Sequence, residues 1–251
     1  MRKTIGRRDY PVQPLKTTGH SEKVRHTPQA RSIREVVFGV NDGLVSITGL
    51  VVGVSASHMG SHQILVAAIA AVVAASVAMG LGQYLSTVAQ NEYFLAERSR
   101  EMREVHEIPQ EEVAEVESIY RAQGFSHDQV EMLTRHITAD KDRWVDFMMK
   151  EELGIVLDSM DNPWTSALIM TLAVIAGSLP PVLPFVIDSN TTTALTWAIV
   201  LASVAAFSLG VLKSIVGRTS WIKGGLQFFF VTAIAIIIGI AAGHGLGALL
   251  T

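Results

Sequence analysis

The absence of cysteine limits the chemistry available to this chain of 251 residues. Without a thiol, disulfides, zinc–thiolate sites and iron–sulfur ligation within one chain are excluded. The stretch before the first apolar segment is basic and polar, and it lacks the apolar run of a cleavable signal peptide. Residues 1–32 are therefore predicted to form a disordered basic tail that lies near an anionic membrane surface.

Charged side chains are scarce in five long segments. About 20 apolar residues in a helix cross a hydrocarbon core of about 30 Å, and each segment meets that length. Helices are the only open-chain structures that satisfy their backbone groups in lipid. Five membrane spans are therefore favoured over buried core helices of a soluble protein. The segments are Val36–His58, Gln63–Gln90, Trp164–Ile187, Ala194–Val216 and Gly224–Leu249.

Lysine and arginine are absent from two of the four connections between these segments. Of the 20, 19 lie before the first segment, between the second and third, or between the fourth and fifth, and Lys213 lies at the end of the fourth segment, next to the last of these connections. Because basic loops stay in the cytoplasm, the N-terminus and the insert at 91–161 are predicted to be cytoplasmic. The compact insert and short loops favour a bacterial cytoplasmic membrane, with a vacuolar membrane as the alternative.

Acidic residues are also rare outside the insert, which holds eighteen of the 23 Asp and Glu. Three helices are predicted there: a continuation of the second span to about Glu107, a helix over Pro109–Gln123, and one over Ser126–Gly154. The predicted fold class is an all-α membrane protein with five transmembrane helices and a three-helix cytoplasmic insert. Residues 33–90 hold the first two spans and 162–251 the last three.

Carboxylates at helical spacing in the insert suggest a site for divalent cations, since residues three or four apart share a helix face. Carboxylates favour Mg, Ca and Mn, while thioether is soft, so the mixture suits Fe(II) and tolerates Mn, Co, Ni or Zn. A solvated acidic surface is the alternative for the glutamates, and core filling the alternative for the methionines. The candidate ligands are Glu101, Glu104, Glu112, Glu115, Met148, Met149 and Glu152.

One acidic residue, Asp42, lies well inside a predicted span. An ionisable group there costs about 2.5–3.5 kcal/mol, which makes it a functional candidate, although it could instead cap a helix near the interface. On the second span, Met79 and Gln83 share a face and could line a path opposite Asp42. Ordinary apolar packing is the alternative for Met79.

Glycines in the first span and prolines in the third have consequences for helix packing and helix shape. Small residues four apart make the first span a candidate dimer face, because they allow close helix approach. Three prolines near the outer end of the third span predict a break or kink. The glycines are Gly39, Gly43, Gly49 and Gly53, and the prolines are Pro180, Pro181 and Pro184.

Together these motifs resemble the vacuolar iron transporter family. The resemblance is carried by Ile33–Gly53 with its Asp42-Gly43, by Ser76–Gln90, by the glutamate-rich insert, and by Asp142–Gly154 with its Met-Met-x-x-Glu. It implies a homodimer of five-helix subunits, with the ion path between the two first spans. Such a protein moves Fe(II), and often Mn(II), out of the cytosol in exchange for protons.

Carried over by position, Asp42 and Met79 are translocation-path ligands, and Glu35 lies at the cytoplasmic entrance. The seven candidate ligands of the insert then form a cytoplasmic metal-binding domain. Gln83 stands where the family usually has Glu; it can ligate through its carbonyl but cannot titrate. The metal ions are transported substrates, no tightly bound cofactor is expected, and neither an enzymatic activity nor a nucleic-acid partner is predicted.

Two other functions fit parts of the pattern. A membrane-anchored metal sensor or buffer needs the ligands of the insert but not Asp42 or Met79. A di-iron oxidase needs Glu-x-x-His motifs, and neither His106 nor His136 has a Glu three residues before it.

Overall fold

The computed structural model describes residues 26–56, 59–156 and 160–250, with side chains described between residues 32 and 245 of these ranges. Within them the chain is helical and has no strand. The helices are α1 (His26–Ala56), α2 (Ser61–Glu107), α3 (Pro109–Ala122), α4 (His127–Thr138), α5 (Lys141–Glu151), α6 (Pro163–Ile187), α7 (Thr191–Val216) and α8 (Trp221–Leu250).

Five of these helices, α1, α2, α6, α7 and α8, are long and apolar enough to cross a membrane, which confirms the predicted number of spans. The first begins at His26, so the end of the predicted disordered tail is helical. Gln29, Ala30 and Arg31 favour a helix, and Pro28 is tolerated in its first turn. The rest of the predicted tail, residues 1–25, lies outside the described residues.

Helix α2 extends well beyond the bundle of spans. Its 47 residues make it about 70 Å long, more than twice the thickness of a hydrocarbon core. The ring of Tyr84 lies 4.6 Å from that of Trp164 at the start of α6, and such aromatic residues favour the membrane interface. The part of α2 after Tyr84 therefore projects from the membrane, as its predicted continuation to Glu107 requires.

The insert contains one helix more than predicted. Helix α3 begins at Pro109 as expected, but the single helix predicted over Ser126–Gly154 is wrong, because the chain breaks it into α4 and α5. Asp140 has an extended backbone between them, and its side chain accepts a hydrogen bond from the backbone N–H of Arg143 at 2.9 Å. Such an N-cap stabilises a new helix start.

An apolar core separate from the spans holds α3, α4 and α5 against the end of α2. Its side chains are nearly all removed from water, and each of this size contributes about 1.5–3 kcal/mol when buried. The amide of Asn91 also donates to the backbone carbonyl of Asp161 at 2.9 Å, which ties α2 to the start of α6. The core residues are Val105, Val116, Tyr120, Val130, Trp144, Val145, Met148, Met149 and Ile155.

Helix α1 lies at the centre of the membrane bundle and packs closely against α6 and α8. A Cβ atom at Gly43 would collide with the backbone carbonyl of Val174 in α6, and one at Gly53 would lie 3.0 Å from the carbonyl oxygen of Gly239 in α8. Gly39 and Gly43 pack against α6 and Gly53 packs against α8 of the same chain, where a side chain would hold the helices apart. At Gly49 a Cβ atom would make only an ordinary contact, 3.6 Å from the carbonyl oxygen of Ala235 in α8. The four glycines thus have neighbours within the same chain, and their use as a dimer face stays a prediction.

The prolines of α6 do not break the helix, which continues from Pro163 to Ile187. The backbone N–H of Asp188 donates to the carbonyl of Pro184 at 2.9 Å, so helical hydrogen bonding is present again directly after the prolines. A membrane helix tolerates proline where neighbouring helices support the freed backbone groups, and Pro181 and Pro184 are buried against such neighbours.

Substitution of Gly177 in α6 tests the close packing of α1. A Cβ atom there would collide with the backbone carbonyl of Val40. Gly177→Ala is therefore expected to lower the free energy of unfolding by about 1–3 kcal/mol, seen as a lower melting temperature of the detergent-solubilised protein. Gly82→Ala is the control, because a Cβ at that position meets no described atom within 4 Å. Equal melting temperatures for the two variants would contradict the packing.

Candidate metal-binding site

Three elements of the insert contribute glutamates to one cluster. Glu101 and Glu104 lie on α2, Glu112 and Glu115 on α3, and Glu152 directly follows α5. The negative charges of these residues act on one another: Glu101, Glu112 and Glu152 each have their pKa raised in part by other members. The structure thus brings together all five glutamates that the sequence singles out, and they are called the glutamate cluster below.

Two members of the cluster are almost completely buried. Glu101 is 1% exposed and Glu112 is 3% exposed. In each, the Oε2 atom has no hydrogen-bond partner among the described residues. Burying a carboxylate oxygen without a partner is costly, and a bound cation would satisfy it. Clustered carboxylates are the ligand type that hard and borderline divalent ions prefer.

Burial raises the pKa of both buried glutamates to about 7. For Glu101 the neighbouring charges of Glu152 and Glu104 add to this effect, and for Glu112 those of Glu115 and Glu101 do. Glu101 lies about 25 Å beyond Tyr84 along the α2 axis, so it is outside the membrane. Near neutral pH these two groups are therefore partly protonated, and a divalent cation must compete with protons for them.

The cluster is not a closed metal site. In the described part of the chain, no three His, Asp or Glu side chains are arranged closely enough to hold an ion. Like charges repel one another and keep such side chains apart unless a cation lies between them. Ligation of one ion by several members of the glutamate cluster therefore requires side-chain movement.

The two methionines lie in the apolar core of the insert rather than on its surface. Met148 is 0% exposed and Met149 is 1% exposed, and both pack with Trp144 and Val145. They precede Glu152 by four and three residues, which places all three near the same end of α5. The structure is thus compatible with both interpretations of the sequence: a core-filling role and a thioether ligand next to the glutamate cluster.

A second group of polar residues lies where α1 and α2 meet near the membrane surface. The amide of Gln83 donates to Oε1 of Glu35 at 3.0 Å, and Glu35 is 5% exposed. The same amide lies 3.4 Å from the hydroxyl of Thr87, and this hydroxyl donates to the Gln83 backbone carbonyl at 3.0 Å. Gln83 thus holds the Glu35 carboxylate on the α2 side of α1.

Asp42 and Met79 lie deeper in the membrane than this pair, and both are partly buried. Asp42 comes two helical turns after Glu35, on the same side of α1 and about 10 Å further along its axis. Helix α2 runs in the opposite direction, so Met79 lies about 6 Å deeper than Gln83. The four predicted path residues therefore line the neighbouring helices at successive depths.

Two residues that were not predicted as site residues contact these groups. Thr87 follows Gln83 by one helical turn, a spacing that could have identified it. Arg100 lies beside the glutamate cluster, with its guanidinium 3.4 Å from Oε1 of Glu101 and 3.3 Å from Oε2 of Glu104. Its spacing from Glu104 is typical of helical ion pairs, but spacing alone does not distinguish a surface pair from one at a buried carboxylate.

Comparison with known sequences decides the family. Residues 33–244 match the profile of the VIT family, which covers the spans and the insert alike. The chain belongs to the VIT family. It is 29% identical over 227 residues to vacuolar iron transporter 1 of Arabidopsis thaliana, covering 89% of this chain and 90% of that protein.

Two further relatives are similar to this chain at about the same level of identity. Vacuolar iron transporter 2 of Oryza sativa subsp. japonica is 28% identical, with 95% of this chain and 94% of that protein covered. A vacuolar iron transporter of Toxoplasma gondii is 30% identical over 78% of this chain and 68% of its own length. With its five apolar helices, this member of the VIT family is an integral membrane protein.

The raised pKa values predict how the stability of the metal-free protein depends on pH. Folding raises the pKa of Glu112 from 4.5 to about 7. The fold therefore favours the protonated form of Glu112, and this stabilisation is fully present below pH 4.5 and is lost as the pH rises through 7. Glu112→Gln is therefore expected to raise the free energy of unfolding at pH 8 by about 1–3 kcal/mol, while it weakens divalent metal binding.

Thermal unfolding at pH 5 and pH 8, together with metal titration, measures both effects. Glu107→Gln is the control, because it removes an exposed carboxylate of the same insert, at the end of the neighbouring helix α2. A Glu112→Gln protein that is less stable than wild type at pH 8, or that binds metal as tightly, would contradict this account of the cluster.

Proposed function

We propose that this chain exports Fe(II), and also Mn(II), from the cytosol in exchange for protons. In this proposal the glutamate cluster gathers ions from the cytosol. The ions then pass Glu35 and Gln83 to reach Asp42 and Met79 in the membrane. The names of the relatives, which are vacuolar iron transporters, support iron as the substrate.

The observation that carries the proposal is that α2 is one continuous helix with ligand-type residues in both environments. It holds Met79 and Gln83 among the spans and Glu101 and Glu104 in the insert. Gln83 and Glu101 are about 27 Å apart along its axis. A metal-gathering surface that is rigidly joined to polar residues within a membrane bundle suits transport better than storage.

The distribution of basic residues supports the direction of transport. Three basic residues lie where α7 ends and α8 begins, at the same end of the bundle as the insert: Lys213 in the last turn of α7, Arg218 between the helices and Lys223 in the first turn of α8. Because basic loops remain in the cytoplasm, this end faces the cytosol and the insert meets cytosolic metal. Protons from the opposite side would protonate Asp42 and release the ion.

The donor types support the choice of ions. Carboxylates alone would favour Mg, Ca or Mn, whereas nearby thioethers shift the preference towards borderline ions such as Fe(II). Other divalent transition metals remain acceptable to such a mixture. The ions are transported substrates in this proposal, and no resident cofactor takes part.

A homodimer completes the path. Asp42 is only partly buried by its own chain, and a carboxylate that faces lipid costs about 2.5–3.5 kcal/mol. A second copy that packs against the same side of α1 would place two Asp42 carboxylates around one path and remove them from lipid.

A metal sensor or buffer is the alternative, because the glutamate cluster could bind ions without any flux through the spans. Asp42 distinguishes the two functions, since only transport requires it. Asp42→Asn is expected to lower Fe(II) flux into proteoliposomes with an acidic interior more than tenfold, because the charged ligand is lost.

Asp146→Asn is the control for this measurement, because it changes an exposed aspartate of the insert, 3.7 Å from Arg98. Wild-type flux by a well-folded Asp42→Asn protein would exclude the proposed role of Asp42. Absence of flux in the wild type, with metal still bound, would favour the sensor. Flux that does not depend on the pH of the vesicle interior would indicate uniport, and Gln83, which cannot titrate, would be the first residue to test.

The methionine pair is tested by a change that keeps volume but removes sulfur. A Met148→Leu and Met149→Leu double variant is expected to fold, because exchanges of Met for Leu cost less than about 1.5 kcal/mol each. If the thioethers ligate, the preference for Fe(II) over Mn(II) in equilibrium binding falls several-fold. Met102→Leu, in the same core, is the control, and an unchanged preference in the double variant would leave both methionines as packing residues.

A further inference from the structure

Arg100 carries a positive charge to the edge of the glutamate cluster. Its guanidinium nitrogens lie 3.1 Å from Glu97, 3.4 Å from Glu101 and 3.3 Å from Glu104. All four residues belong to α2, so the helix itself sets this arrangement. The Arg100 side chain is 45% exposed, which leaves it free to move.

Two of these three carboxylates are candidate metal ligands, and one of them is almost fully buried. Arg100 contacts the Oε1 atom of Glu101, while the Oε2 atom has no hydrogen-bond partner among the described residues. The positive charge of Arg100 also acts on Glu152, whose pKa it lowers against the effects of burial and of Glu115. The guanidinium thus acts on glutamates from two elements of the cluster.

We infer that Arg100 is a built-in counter-ion of the glutamate cluster, which pairs with Glu101 and Glu104 in the absence of metal and is displaced when a divalent ion binds them. The inference rests on the proposed role of the cluster in gathering metal. On displacement, Arg100 keeps Glu97 as a partner, so its charge is not left unpaired.

Such a counter-ion affects both affinity and selectivity. The guanidinium is tethered next to the carboxylates and is therefore present there at high local concentration. A free monovalent cation of equal charge competes poorly with it for these carboxylates. A divalent ion gains twice the attraction from the same carboxylates. The remaining positive charge then repels the bound ion and keeps its affinity low enough for release towards the membrane.

The inference predicts opposite effects on metal affinity and on stability. Arg100→Gln removes the repulsion, so Mn(II) is expected to bind the full-length protein about tenfold more tightly. The metal-free variant is expected to melt at a lower temperature, because the clustered carboxylates lose their counter-charge. Arg100→Lys keeps the positive charge, so it is expected to show little of the increase in Mn(II) affinity that Arg100→Gln shows.

Isothermal titration with Mn(II) in detergent measures this, in an Asp42→Ala background that removes the proposed membrane site. Arg98→Gln is the matched control, because it loses the same charge from the same helix but pairs with Asp142 and Asp146, at 3.3 and 3.7 Å, outside the cluster. The gain of the Arg100→Gln variant is expected to shrink as salt concentration rises.

The outcomes separate the inference from the function on which it rests. Unchanged or weaker Mn(II) binding by Arg100→Gln would overturn the counter-ion role, as would an equal gain in Arg98→Gln. Absence of Mn(II) binding in every protein, including the one that retains Arg100, would overturn the proposed metal-gathering role of the cluster and the inference with it.

Discussion

The close contact of α1 with α6 and α8 is the constraint on which the membrane part of the structure depends. Glycine contacts bring these backbones so near that α1 has one allowed rotation, because any other would put side chains where only hydrogen atoms fit. Glu35, Asp42 and Gly49 are seven residues apart and share one side of α1. The close contacts of Gly43 with α6 and of Gly53 with α8, which fix this rotation, therefore also set where the two carboxylates point.

Helix α2 joins the membrane bundle rigidly to the insert. It provides the partner of Glu35 among the spans and two glutamates of the cluster in the insert. At its far end the core around Trp144 holds Glu101 and Glu112 in nearly complete burial. Such burial opposes ionisation and destabilises the metal-free fold, an unfavourable local arrangement that is typical of functional sites.

Most of the elements were predictable because their signals are local. The five apolar runs, the start of α3 at Pro109 and the continuation of α2 to Glu107 each follow from composition or from a capping residue. The break at Asp140 was missed, because the residues on both sides of it are good helix formers and the competing N-cap bond to Arg143 is a weak pattern in a sequence.

The sequence by itself determined the span count, the acidic insert and the types of ligand, since hydrophobic length and helical spacing act within a few turns of one helix. Only the tertiary structure decided that the glycines of α1 pack inside the chain and that Glu101 and Glu112, rather than their neighbours, lose contact with water. It also placed Arg100 against a buried carboxylate. Burial and close approach depend on which distant helix arrives at a given face, and no local pattern specifies that partner.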